Sequence, residues 1–253
     1  MTVAVECSEL WKSYPAYRPR GIKDLLVGRR RKISQKFARK WALRDIGFTA
    51  KKGEAVGIVG HNGSGKSTLL SILLGTSRPD RGTTIVRGRV ASLLDLGAGF
   101  HPELTGRDNI YVYASILGMR LREIRERFSA IVEFSELGEA IDNPTRTYSA
   151  GMVARLGFAT IINAPADVVL VDEVLAVGDA AFQKKCLRKL TEFKNEGGTL
   201  ILVSHDLETL GGICDHGLCL DMGEVAASGM IDQVIKKYLR SVERSAQNTH
   251  ENK

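Results

Sequence analysis

The stretch AVGIVGHNGSGKST, beginning at Ala55, leaves the chain few ways to fold. Its first five residues, Ala55–Val59, are small or β-branched and apolar, as a strand covered on both faces requires. Gly60, His61, Asn62, Gly63, Ser64 and Gly65 form a loop, and Lys66, Ser67 and Thr68 open a run with helical spacing to residue 74. The whole fits G-x-x-x-x-G-K-S between a strand and a helix, the context in which that pattern has a mechanism. Glycine permits left-handed backbone, so consecutive N–H groups can converge on phosphate oxygens while the helix start adds positive potential. Residues 60–68 are therefore candidates for holding a nucleoside triphosphate. Lys66 reaches the β and γ phosphates, and the Ser67 hydroxyl ligates Mg²⁺.

A fold built around this unit needs more parallel strands, and the chain supplies them. Val168–Val171 and Thr199–Val203 are again continuous apolar runs. Amphipathic stretches at 66–74, 105–117, 121–134, 151–162 and 180–195 alternate with them and predict an α/β protein with a parallel sheet. Residues 217–224 predict a late hairpin, residues 230–242 a closing helix, and the polar residues beyond 244 a frayed tail. The 253 residues can bury a large core, and 43% hydrophobic with 26% charged residues excludes global disorder. The longest apolar runs fall far short of the ~20 residues a spanning helix needs. The start lacks a basic-then-apolar leader, and Cys7, Cys186, Cys214 and Cys219 show no paired spacing, so free buried thiols in a reducing compartment are expected.

Two further motifs belong with the phosphate loop. Val168–Val171 runs directly into Asp172 and Glu173: an acid at that strand end suits a magnesium nucleotide, with Asp172 holding the metal and Glu173 polarising the attacking water. His205 follows Ser204 at the end of Thr199–Val203, in position to sense a γ-phosphate.

Together these residues resemble the ATP-binding subunits of ATP-binding cassette (ABC) transporters. The turn Tyr148-Ser149-Ala150-Gly151-Met152 is similar to that family's signature, matching at Ser149 and Gly151 and departing at Tyr148, Ala150 and Met152. A helix N-terminus there suits an anion. The resemblance implies a RecA-like parallel core, an N-terminal antiparallel β subdomain and a helical signature subdomain over about residues 100–163, all within 1–240, with a polar tail at 241–253. It also implies a head-to-tail homodimer holding two ATP molecules, with Ser149 and Gly151 acting in trans, and it matches Asp179 to the acid of the loop that crosses the interface. No glutamine occurs between Gln35 and Gln183, so the family's metal-contacting glutamine is missing. Asp95 is the nearest polar substitute, although an ungapped count falls on Leu96. Tyr14 is the candidate adenine-stacking aromatic, with Tyr17 and Trp41 as rivals.

The segment between Tyr14 and Trp41 departs from the α/β rhythm. It carries Arg18, Arg20, Lys23, Arg29, Arg30, Arg31, Lys32, Lys36, Arg39 and Lys40 against Asp24 alone, and so concentrates the chain's formal charge of +7. Two short amphipathic helices broken near Gly28 fit the spacing. A solvated excursion, anionic lipid headgroups or an acidic partner are the readings open to it; Phe37 and Trp41 are too few for a nucleic-acid stacking platform. This insertion and the stretches 93–106, 148–152 and 172–179 are similar to the branch that exports O-antigen, teichoic acid and related lipid-linked polysaccharides. The resemblance to that branch implies a peripheral protein on the cytoplasmic face of the membrane, docked on a separate transmembrane permease dimer, with lipid headgroups or lipid-linked glycan near residues 18–40. With the sequence ending near Lys253, soon after the last predicted helix, no added carbohydrate-binding domain is expected. An importer subunit, a soluble ABC ATPase acting on nucleic acid or ribosomes, and a regulatory module without turnover are the alternatives.

Overall fold

The structure, a computed structural model, describes residues 2–15, 39–94, 96–97, 99–172 and 178–251, with side chains as far as residue 243. Strands β3 (Ala55–Val59), β5 (Val90–Ser92), β6 (Val168–Val171), β7 (Thr199–Val203), β8 (His216–Asp221) and β9 (Glu224–Met230) form a six-stranded sheet in the order β5-β6-β7-β3-β8-β9. The first five are parallel and β9 returns antiparallel to β8. β3, β6 and β7 are buried at every residue because both faces of the sheet are covered. Ala55, Val59, Val169, Val171, Leu200 and Leu202 point into one core, while Val56, Ile58, Val168, Leu170, Ile201 and Val203 point into the other. That division explains why these strands read as unbroken apolar runs.

The first core is closed by helices α4 (Ala150–Ile162), α5 (Ala180–Asn195), α6 (Leu207–Ile213) and α7 (Ile231–Glu251). The second lies under α1 (Lys66–Leu73) and a three-stranded antiparallel sheet of β1 (Val3–Pro15), β2 (Arg39–Lys51) and β4 (Arg81–Val86), ordered β2-β1-β4. A third cluster joins α2 (Gly106–Ile116), α3 (Leu121–Ser135) and one face of α4, and forms the helical lobe. The expected α/β architecture, with its antiparallel subdomain and helical subdomain, is therefore present.

The chain's end differs from expectation. The closing helix predicted over 230–242 runs from Ile231 to Glu251, so the segment expected to be a frayed polar tail is helical backbone. No glycine or proline occurs after Gly229 to stop it. The insertion predicted as two short helices lies outside the described residues over 16–38; β1 and β2 close its neck through the pairs Tyr14↔Lys40 and Pro15↔Arg39. All four cysteines are free and buried, and burial pushes the Cys7 and Cys214 thiols up to about 12.

Candidate functional site

The phosphate loop leaves β3 at the middle of the sheet and turns on left-handed glycines, with φ 154° at Gly60, 80° at Gly63 and 109° at Gly65. Space as well as backbone demands them. A Cβ at Gly60 would strike the Leu220 carbonyl, and one at Gly65 would lie 2.6 Å from the Ala42 carbonyl oxygen. The loop is braced from outside by the β8–β9 turn: Gly223 N–H donates to the Ser64 carbonyl at 3.1 Å, and Arg44 N–H to the Gly223 carbonyl at 2.7 Å. Lys66 is buried and its Nζ donates to the carbonyls of Gly60 at 2.7 Å and His61 at 3.1 Å, so its ammonium is folded over the loop.

Three features of this cradle suit a polyphosphate. Gly65 caps α1 with no side-chain hydrogen bond, and no acid stands in the first turn, so the helix N–H groups and partial positive charge face an anion without competition. Ser64 Oγ is buried with no partner among the described residues. Gly63 faces open space, where a Cβ would meet nothing within 4 Å.

The other catalytic candidates arrive by strand register. Ile58 pairs with Val203, and Val171 with Leu202, so β3, β7 and β6 end side by side, with neighbours about 4.8 Å apart. The phosphate loop, the Ser204-His205 turn and Asp172 thus emerge from the carboxyl ends of three adjacent parallel strands, where α/β sheets bind ligands. The Ser67 hydroxyl is exposed at the first turn of α1. Among the described residues no group of three or more His, Cys, Asp or Glu is placed to hold a metal ion. Mg²⁺ needs none, since one or two protein oxygens with phosphate and water complete its shell; Ser67 and Asp172 fit that role. Glu173 and Asp95 lie outside the described residues. Leu96, favoured by the ungapped count, packs its apolar side chain on the first core, so it offers no metal ligand.

The signature residues form a second constellation. Ser149 is the N-cap of α4, accepting from Met152 N–H at 3.2 Å, and Gly151 sits in that helix's first turn. Tyr148 is held by its hydroxyl, which donates to the Ala140 carbonyl at 2.6 Å; burial raises its pKa. Asp179 caps α5 by accepting from Phe182 N–H at 2.9 Å, a bond that holds its carboxyl below the usual range. Its other oxygen takes Arg155 of α4 at 2.8 Å, and the Arg155 guanidinium lies 4.7 Å from the Phe182 ring centroid. Within one chain, then, Asp179 is a cap and an ion-pair partner that ties the signature helix to α5.

Of the aromatics, Tyr14 keeps an exposed ring, 43% accessible, with Lys12 Nζ 5.3 Å from its centroid. Trp41 is engaged edge-on with Trp11 at 5.3 Å, and Tyr17 lies outside the described residues. Asp80 anchors the strand end beneath Tyr14: it accepts from Ser13 N–H at 2.8 Å and Ser13 Oγ at 2.7 Å, which lowers its pKa.

Sequence reasoning missed Asn109. This buried side chain accepts from His101 N–H at 2.6 Å and points its amide at the carbonyls of His101, Leu104 and Thr105, so it pins the 101–105 loop to α2. Its signal was available, because Gly106, Asn109, Ile110 and Tyr113 are the inward positions of that helix.

A parallel sheet with this loop and these strand-end residues defines a P-loop nucleotide-binding protein. The ABC transporter family profile matches residues 43–176. The O-antigen export system ATP-binding protein RfbB of Klebsiella pneumoniae is 44% identical over 245 residues, which cover 96% of this chain and all of that protein. The teichoic acids export ATP-binding protein TagH of Lactococcus lactis is 39% identical over 95% of this chain, which spans 52% of that longer protein. Among solved structures, an ATP-binding subunit of an ABC transporter superposes with a TM-score of 0.76 at 21% identity, covering 93% of each chain, and so shares the fold. The chain belongs to the ABC transporter family.

Proposed function

We propose that this chain is the ATP-hydrolysing subunit of an exporter that drives a lipid-linked cell-surface polysaccharide across the cytoplasmic membrane. The observation that carries the reading is the 44% identity along the full length of a relative whose name states O-antigen export and ATP binding. The phosphate cradle and the residues at the strand ends supply the chemistry. The loop N–H groups and Lys66 bind the triphosphate; Lys66 neutralises charge on the γ-phosphoryl as its bond to the β-phosphate breaks, and His205 steadies that group; Glu173 takes the proton of the attacking water. Ser67 and Asp172 would hold Mg²⁺, which would supply charge neutralisation to the triphosphate. Tyr14 offers its exposed ring to adenine.

Two copies close head to tail over two ATP molecules, each lending Ser149 and Gly151 to the other's γ-phosphate. Among the described residues no helix is long and apolar enough to cross a membrane. In this reading a separate membrane-spanning pair carries out the translocation. That pair receives the closing motion at the surface around residues 96–103, next to the exposed Ile116. The basic stretch 18–40 meets anionic headgroups or the lipid-linked substrate.

Surface glycan and ATP turnover, measured in cells and on purified protein, test the assignment. Glu173→Gln is expected to retain bound ATP and to abolish both turnover and export. Neutralising Arg29, Arg30, Arg31 and Lys32 is expected to cut export while the fold persists. Normal surface glycan with Glu173→Gln contradicts the assignment, and unchanged export and ATPase in the neutralised variant contradicts the role of the basic stretch.

A further inference from the structure

His61 stands at a position the phosphate-loop pattern leaves open, since only Gly60, Gly65, Lys66 and Ser67 are dictated. Its backbone is nevertheless central to the loop: the His61 carbonyl accepts from Ser64 N–H and from Lys66 Nζ, each at 3.1 Å. The His61 side chain is exposed to solvent but meets the Tyr238 ring, with centroids 5.5 Å apart and planes at 53°. That partner comes from the far end of the chain, on α7.

The position of α7 is fixed by a flat seat on the sheet. Gly57 of β3 and Gly217 of β8 are register partners. A Cβ on Gly57 would stand 3.0 Å from Ile231 Cδ1, and one on Gly217 2.9 Å from Val234 Cβ, so the two glycines let α7 pack against the strand that feeds the phosphate loop. Ile231, Val234, Ile235 and Tyr238 follow i, i+3, i+4, i+7 and share the inward face of the helix. Tyr238 is half-buried there, and burial raises its phenol pKa.

We propose that Tyr238 is a positioning residue for triphosphate binding, acting through the ring of His61 to hold the phosphate loop in its binding conformation. The proposal rests on reading residues 60–68 as a triphosphate loop. A glycine-rich loop loses much backbone freedom when it closes on a ligand, and a contact that already restrains His61 lowers that cost. Such a contact acts on ground state and transition state alike, so it changes affinity rather than turnover.

The test is the Kd for Mg-ATP together with steady-state hydrolysis on the full chain. Tyr238→Leu is expected to raise Kd and KM by about two- to tenfold, the range of an aromatic pair, with kcat within about twofold. Tyr238→Phe keeps the ring and is expected to restore wild-type values. In a His61→Ala background, Tyr238→Leu is expected to add nothing. Should Tyr238→Leu not fold, His61→Ala at the exposed position carries the test with the same two- to tenfold rise. An unchanged Kd, additive effects, or a fall in kcat at constant KM overturns the proposal alone. A wild-type protein that binds no Mg-ATP overturns the loop reading and the proposal with it.

Discussion

Lys66→Ala is expected to lower ATP hydrolysis by about 10²- to 10³-fold while leaving the fold intact. The ammonium sits over the loop at 2.7 Å and 3.1 Å from two carbonyl oxygens, on a residue only 6% exposed. A cation preorganised where phosphoryl charge develops does not need to reorganise during the reaction, and removing one such group typically costs about 3–4 kcal/mol of transition-state stabilisation. Removing the side chain takes nothing from the sheet. The freed carbonyls of Gly60 and His61 border the exposed residues of the loop, where water can satisfy them. Phosphate release and thermal melting on one preparation check this: turnover falls and the midpoint stays within a few degrees. Hydrolysis within tenfold of wild type contradicts the role given to Lys66.

Asn109→Leu is expected to have the opposite profile, with a large loss of stability and retained nucleotide binding. The amide is fully buried and serves one N–H and several carbonyls of the 101–105 loop, together with Thr145 Oγ1 at 3.2 Å. Its loss orphans the His101 N–H, whereas the carbonyls keep other donors: Leu104 N–H and Thr145 Oγ1 on His101, Thr145 N–H on Leu104 and the Asn109 backbone N–H on Thr105. The unsatisfied donor at about 1–3 kcal/mol, with the lost amide hydrogen bonds at about 1 kcal/mol each and partial relief by loop movement, sets an expected cost of about 3 kcal/mol, or roughly 6–12 °C in Tm for a chain of this size. Hydrogen exchange then accelerates first in α2 and the adjoining loop, because that lobe has a cluster of its own. A midpoint within 2 °C of wild type contradicts this account of the loop.

The contrast between the two positions shows what the sequence could carry. Lys66 was legible because its chemistry depends on near neighbours: a strand, a loop turned by three glycines, and a helix start. The buried strands were legible for a similar reason, since cover on both faces leaves continuous apolar runs. β1 and β2 were not, because bulges break their alternation. Glu9 at φ 50° and Asp45 at φ 51° stand in left-handed backbone within strands, and the β1 register shifts between Cys7 and Leu10. Asp179 illustrates the other limit. Resemblance matches it to the acid of an interface-crossing loop, but its partner Arg155 is 24 residues back in the chain, and nothing local announces the pair. The brace from Gly223 and the ring contact from Tyr238 are likewise products of tertiary packing.

In the proposed head-to-tail dimer, the shared sites would make hydrolysis depend on the meeting of two subunits. The most direct measurement is ATP turnover per subunit as a function of protein concentration, with sedimentation of the Glu173→Gln variant in Mg-ATP alongside. Turnover that rises from near zero as concentration increases, with Glu173→Gln sedimenting as a dimer only when Mg-ATP is present, is the expected result. Turnover per subunit that stays constant at concentrations where sedimentation shows single chains, unaffected by Ser149→Arg, would contradict it.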